Sequence, residues 1–449
     1  MSALELTAEW IPVDDAALGI VPPPSPPLAF FDPPRNAYWF QNSRGGWITL
    51  PEAALKRQLR PYLSNKAAET ARLSPLDEHI NKLQTECDVA YAGPLAGAPP
   101  GLREYESRRL LITEGPQIIE PVPGEWPVLS LVLENLLVDE RGDQRPYFYG
   151  WLKIARESLI AQVHRPGQAL VLAGQHDSGK SLVQNLITPL LGGRAAKPYG
   201  WMTGATDFNA ELFGAEHLVI EDEFASTDIR ARRNFGAQIK SVTVNSLQKC
   251  HQKNRTALSL EPFWRVTITV NDEPENLMVL PPFDDSVADK IILLRANKRP
   301  MPMPTATYEE RKAFMATLTA ELPAFCHFLS AYAIPAEHVS HRFGITHYHH
   351  PDLLNALDEL APETRLLQLL ETAITESWTG SQAQLEALLT GPDAETAYEA
   401  RRLFSFPNAC GVYLARLAKK RPDAVRYRRT GTSRTWTIWP DREPAQGPY

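Results

Sequence analysis

The sequence predicts an α/β fold built on a phosphate-binding loop, preceded by an α+β region and followed by a helical segment and a small domain. Three observations predict it. Gly174-Gln175-His176-Asp177-Ser178-Gly179-Lys180-Ser181 is a G-x-x-x-x-G-K-S run. A short apolar stretch, residues 169–173, comes before it, and residues 182–187 follow with helical apolar spacing. Two more apolar runs, residues 217–223 and 265–271, end in acids and in Asn271 and read as further buried parallel strands.

A chain of 449 residues is too long for one core. Its 43% apolar and 22% charged content is that of a globular protein. No apolar run is long enough to cross a membrane, and Met1 to Leu6 lacks the features of a signal peptide. Cys87, Cys250, Cys326 and Cys410 are scattered, with neither metal nor disulfide spacing, which fits a reducing cytoplasm. The net charge of −7 leaves any nucleic-acid contact to local basic patches.

Taken in order, residues 1–130 predict an N-terminal α+β region for oligomerisation or an accessory role. Residues 22–27 are proline-rich and stiff. Residues 37–40 and 46–49 flank a hairpin turn, and helical spacing follows over 51–63. Tyr38, Trp39, Phe40 and Trp47 either stack on bases or, the more ordinary role, fill a small core. Residues 121–124 mark a boundary, and 147–162 predict an amphipathic helix.

Residues 131–304 carry the chemistry. Strand, Gly-rich turn and helix place backbone N–H groups and a positive helix end around phosphates. Lys180 reaches the β- and γ-phosphates and the Ser181 hydroxyl ligates Mg²⁺, so ATP and Mg²⁺ are the expected ligands. Glu221 lies 41 positions after Lys180, at an apolar strand's end, with Asp222 and Glu223 beside it. We assign Glu221 to the metal and Asp222 to the attacking water, with Glu223 able to exchange with either. Asn271 either holds that water and senses the γ-phosphate or merely caps a turn. A fourth strand is predicted over 290–294.

Between the acidic strand and Asn271, residues 229–255 hold seven Lys or Arg and no Asp or Glu. Residues 246–251 and 256–260 predict a hairpin whose tip offers Lys249, His251, Lys253 and Arg255 to the phosphates of single-stranded DNA. The alternatives are a solvated loop or basic groups serving ATP between subunits.

A capping box at Thr307 and Glu310 opens a helix in the helical segment, residues 305–362. His338, His341, His347, His349 and His350 lack the ligand spacing of a zinc site. Residues 363–449 predict a C-terminal winged helix: a helix over 408–420, then two alternating strands. Arg426, Arg428, Arg429 and Arg434 then face duplex phosphates, although many such domains bind protein instead.

These motifs together resemble the superfamily 3 helicases of the AAA+ class, in particular phage, plasmid and poxvirus-type primase-helicases. Walker A is 174–181 and Walker B 217–223. Lys240-x-x-Thr243 leads to the hairpin Lys253, Asn271 closes the set, and residues 206–212 also match. The resemblance covers residues 135–300. It implies an AAA+-like ATPase core in a ring, a homo-hexamer, moving on single-stranded DNA, usually 3′ to 5′, in phage or mobile-element replication. Lys290 stands where the family often has an arginine acting on a neighbouring subunit's ATP, with Arg295 the alternative. Val244-Asn245 replaces a common Gly-Asp. No primase motif precedes the core, so a primase-polymerase, if one is needed, is expected on a separate chain. Two other readings keep the same motifs: an ATP-regulated initiator or scaffold on duplex origin DNA, and a defence-system ATPase switch.

Overall fold

The structure, a computed structural model, describes residues 25–221, 229–253, 256–281, 283, 286–359, 361–430 and 433–442. The side chains of residues 229, 230, 430 and 433 are not described. The chain separates into two units, Met1–Gly115 and Pro116–Tyr449.

In the first unit, β1 (Ala29–Asp32), β2 (Ala37–Gln41) and β3 (Trp47–Leu50) form an antiparallel sheet in that order. Helices α1 (Glu52–Leu59) and α2 (Pro75–Glu86) pack on it. Ser74 caps α2 by accepting from the Asp77 N–H, and Leu76, Ile80 and Leu83 form its buried stripe. Strands β4 (Tyr91–Gly93), β5 (Gly101–Tyr105) and β6 (Arg108–Ile112) make a second sheet, ordered β4-β6-β5. Tyr38 and Phe40 are buried in the core with Leu55 and Leu59, while Trp39 and Trp47 are half-buried beside it. The aromatic cluster therefore packs a core rather than forming an open stacking platform.

The second unit begins with α3 (Pro127–Leu137), the short hairpin β7 (Val138–Asp139) and β8 (Gly142–Asp143), and α4 (Arg145–Ala161). Then come β9 (Ala169–Gly174), α5 (Lys180–Leu190), β10 (Ala195–Ala196), α6 (Tyr199–Thr203), β11 (His217–Glu221) and α7 (Ile229–Val244). A hairpin of β12 (Gln248–Cys250) and β13 (Leu258–Leu260) precedes β14 (Arg265–Val270), α8 (Pro274–Leu277), β15 (Ile291–Ala296) and α9 (Tyr308–Ala331). The main sheet is parallel throughout, ordered β10-β11-β14-β9-β15. Every residue of β9 and β14 is buried, because helices cover both faces of such a sheet. Each buried Leu, Ile or Val there contributes roughly 1.5–3 kcal/mol.

Helix ends are tied by side chains from other elements. Glu321 of α9 accepts from the Val128 and Leu129 N–H groups at 3.1 and 2.7 Å, which caps the positive end of α3. Arg156 of α4 donates to the Leu190 carbonyl at 2.6 Å and so closes the negative end of α5. The helix supporting the Gly-rich loop is thus anchored at its far end.

After α9 come α10 (Pro351–Glu359), α11 (Pro362–Ala373), β16 (Trp378–Gly380), α12 (Gln382–Thr390), α13 (Ala397–Leu403), α14 (Ala409–Lys420), β17 (Val425–Thr430) and β18 (Ser433–Ile438). The last three strands form an antiparallel sheet ordered β16-β18-β17. It closes with α11 to α14 over a separate core centred on Leu366, Leu370, Leu414, Trp436 and Ile438. Among the described residues, no helix is long and apolar enough to cross a membrane.

Candidate functional site

Parallel strands deliver their side chains to one edge of the sheet, where the loops after their C-terminal ends meet. The Gly-rich loop leaves β9 at that edge. A Cβ on Gly174 would lie 2.1 Å from the Ala296 carbonyl oxygen, so the strand end tolerates only glycine. Asp177 (φ 60°) and Gly179 (φ 98°) both take left-handed backbone, which curls the loop back onto the start of α5. Gln175, His176 and Asp177 are exposed, with His176 Nδ1 2.9 Å from Asp177 Oδ2. Ser181 is exposed as well.

Lys180 is buried at 6% exposure. Its Nζ donates to the Gly174 and Gln175 carbonyls, both at 2.7 Å, and to Asn271 Oδ1 at 3.1 Å. Loop carbonyls thus hold the ammonium where phosphate oxygens could replace them. Ser178 Oγ is buried without a hydrogen-bond partner among the described residues, an unmet polar group inside the same loop. Left-handed turn, glycine contact, ammonium and orphan hydroxyl all fit a nucleotide's phosphates.

Asn271 sits just past β14, and β14 lies between β9 and the acidic strand β11. Glu221 is half-buried and opposite Thr269, so it stands at the same sheet edge one strand further out. Asp222 and Glu223 lie outside the described residues. Glu273 adds a carboxylate that the sequence left inside a turn. Its own backbone N–H and Asn276 hold it below the usual carboxylate range, and Lys180 and His176 add a smaller pull.

Lys290 is placed differently. It precedes β15, whose first residue pairs with Ala169, whereas Ala296 pairs with Gly174. Lys290 is therefore a strand's length from the loop of its own chain. It is buried, with Nζ 2.6 Å from Asp289 Oδ1, and Arg342 holds the other oxygen of Asp289 at 2.9 Å. Arg295 is at the loop end of β15 and donates to Asp352 Oδ2 at 2.8 Å. The Arg141 hydrogen bond, with Arg295 nearby, keeps the Asp352 carboxyl low.

The hairpin β12–β13 buries Gln248 and Cys250 and turns Lys249 outward. Asn209 pins it: Oδ1 accepts from the His251 N–H at 2.7 Å and Nδ2 donates to the Lys249 carbonyl at 2.9 Å. His251 lies 5.4 Å from the ring of Phe208, which is 47% exposed. Lys253 is exposed beyond them, and Arg255 is outside the described residues. The hairpin thus gathers Lys249, His251 and Lys253 beside an exposed aromatic ring. The sequence singled out the cations but not Phe208, whose only signal was its place within residues 206–212.

In the last sheet Arg429 and Arg434 stand directly opposite each other, and Arg428 faces Thr435. Like charges in that position repel, so the pair costs stability unless an anion lies over it. Arg434 also stacks on Tyr427 and Trp436 at 4.6 and 5.4 Å. Arg426 is tied to Asp441 at 3.1 Å and to the Pro422 carbonyl, so it is less available than the other three.

Of the histidines of residues 338–350, His338, His349 and His350 serve packing, while His341 and His347 are exposed. His350 is fully buried with Nε2 2.9 Å from Asp139, and His349 meets the Ala288 and Ile291 carbonyls. Among the described residues, no group of three or more His, Cys, Asp or Glu is arranged to hold a metal ion.

No protein-family model and no curated protein matches the chain. Solved structures do. An apo structure of the C-terminal region of NrS-1 aligns over 92% of this chain and 96% of its own, at 12% identity and a TM-score of 0.52. A second apo structure of that region aligns over 91% and 95%, at 12% identity and a TM-score of 0.52. The SCCmec type IV Cch active helicase aligns over 89% of this chain and 74% of its own, at 12% identity and a TM-score of 0.30. The chain is thus similar in fold, across nearly its whole length, to the C-terminal region of NrS-1.

Proposed function

We propose that this chain is an ATP-driven, ring-forming DNA helicase of the superfamily 3 type, working as a homo-hexamer in phage or mobile-element replication. The observation that carries the reading is the meeting of Lys180 with Asn271 and the Gly-rich loop, at the sheet edge that also carries Glu221. A single-strand grip supplied by the β12–β13 hairpin adds to it.

In this reading the loop 174–181 cradles the triphosphate. Lys180 exchanges its carbonyl partners for β- and γ-phosphate oxygens, and Ser178 gives its unmet hydroxyl to the same group. Ser181, Glu221 and Asp222 would hold Mg²⁺, which would neutralise charge on the transferred phosphoryl group. Asp222 takes the proton of the attacking water, and Asn271, already against Lys180, orients that water. Lys290 is assigned to a neighbouring subunit's ATP. It lies far from its own loop, and it must leave Asp289 to act.

Lys249, His251, Lys253 and Arg255 take successive phosphates of single-stranded DNA, with Phe208 offering a ring to a base. Helix α14 and the β17–β18 ribbon are a winged helix that adds duplex contacts through Arg428, Arg429 and Arg434. The opposed arginines favour a polyanion over a protein partner there.

Strand displacement on a forked duplex tests this reading. Wild type should unwind with ATP, while Lys253→Ala should unwind at least tenfold more slowly. Equal rates would remove the hairpin as the motor's grip. Duplex binding without any unwinding would favour the initiator reading.

A further inference from the structure

We infer that a buried polar seam between α5 and β14, with Thr267 at its hub, is a positioning network that sets Asn271 against the phosphates. The inference rests on the ATPase reading above.

Lys180, Gln184 and Thr188 recur every four residues along one face of α5. Thr267, Thr269 and Asn271 alternate along one face at the end of β14. The two rows meet. Lys180 donates to Asn271 Oδ1 at 3.1 Å. Gln184 Nε2 donates to Thr267 Oγ1 at 2.7 Å and to the Thr267 and Ile220 carbonyls at 3.3 Å. Thr269 Oγ1 reaches Gln184 Oε1 at 3.5 Å. His217 completes the seam, with Nδ1 2.8 Å from Thr188 Oγ1 and Nε2 2.7 Å from Thr267 Oγ1.

Gln184, His217 and Thr267 are fully buried. Leucine and valine would fill this space without needing partners. A polar seam instead works only in one axial register of helix on strand, because a slip of one residue breaks every bond in it. Gln184 also touches the carbonyl just before Glu221. One amide therefore ties the helix bearing Lys180 to both strands that carry the other groups of the site. Burial holds His217 neutral, with its pKa pushed down to about 3, so the seam keeps its hydrogen-bond pattern through the neutral range.

The test compares Thr267→Val, which keeps the shape and removes the hydroxyl, with Thr267→Ser, which keeps the hydroxyl. ATP turnover, KM for ATP, nucleotide affinity and melting temperature are measured for each. A positioning role predicts that Thr267→Val lowers kcat at least about tenfold while KM and affinity stay within about twofold, and that Thr267→Ser recovers to within about threefold of wild type. Combined with Asn271→Ala, Thr267→Val should add little further loss. Turnover of Thr267→Val within twofold of wild type overturns the inference. So does a matching loss in Thr267→Ser that follows the melting temperature. If Thr267→Val does not fold, Gln184→Met is judged by the same split between kcat and KM. Wild-type turnover no greater than that of Lys180→Ala would instead bring down the ATPase reading, and the seam with it.

Discussion

His217 gives the core a specific response to acid. The perturbation is a fall in pH from 7.5 to 5.5. His217 has no solvent exposure, and burial pushes its pKa from an ordinary 6.5 down to about 3. The folded state therefore refuses a proton that the unfolded chain accepts below 6.5. The stability linked to this group is fully present above 6.5 and is lost as pH falls towards 3. The loss is about 1.4 kcal/mol at pH 5.5 and about 2.7 kcal/mol at pH 4.5. For a core of this size it corresponds to a fall of about 3–6 °C in melting temperature at pH 5.5. The comparison is His217→Gln, whose amide replaces both ring hydrogen bonds and does not titrate. Calorimetric scans at both pH values give the difference in slope between the two proteins, which cancels the other histidines whose pKa is held low, such as His164 and His349. The C-terminal layer has its own core, so its transition is fitted separately. Equal pH slopes for wild type and His217→Gln would refute the reasoning.

Two further outcomes follow from the geometry. Gly174→Ala places a methyl 2.1 Å from the Ala296 carbonyl oxygen, between two buried strands that cannot both yield; it should destabilise the core by more than about 3 kcal/mol, and an unchanged melting temperature would contradict the packing. Arg429→Ala relieves the repulsion from Arg434, so stability should hold or rise while duplex affinity falls. The slope of log K against log salt should shrink by about one unit, measured by fluorescence anisotropy, and an unchanged slope would remove the ribbon from the DNA contact.

Much of the core was legible because parallel strands buried on both faces leave continuous apolar runs. Residues 169–173 and 265–270 announce themselves in this way, and the glycines and Lys180 mark the turn between strand and helix. The paired strands of the C-terminal ribbon were visible in their alternation. The seam was not legible. Gln184 and Thr188 look like ordinary polar helix residues, and only the placement of β14 and β11 beside α5 turns them inward. His217 read as a strand's first residue, with no sign that its ring would join two threonines. The position of Lys290 depended on pairing register, which its local sequence does not carry: a residue before a parallel strand goes to the edge opposite the phosphate loop. The segment starting at Pro116 groups with the second unit through long-range bonds, such as the Gln117 N–H to the Gly192 carbonyl, that no local composition reveals.

The most direct test of the central claim is ATP turnover with and without single-stranded DNA, at low and moderate salt, with Lys180→Ala as control. The account predicts turnover that requires Lys180, rises with single strands, and loses that rise as salt screens the basic hairpin. Turnover that ignores single strands, or that survives loss of Lys180, would contradict it.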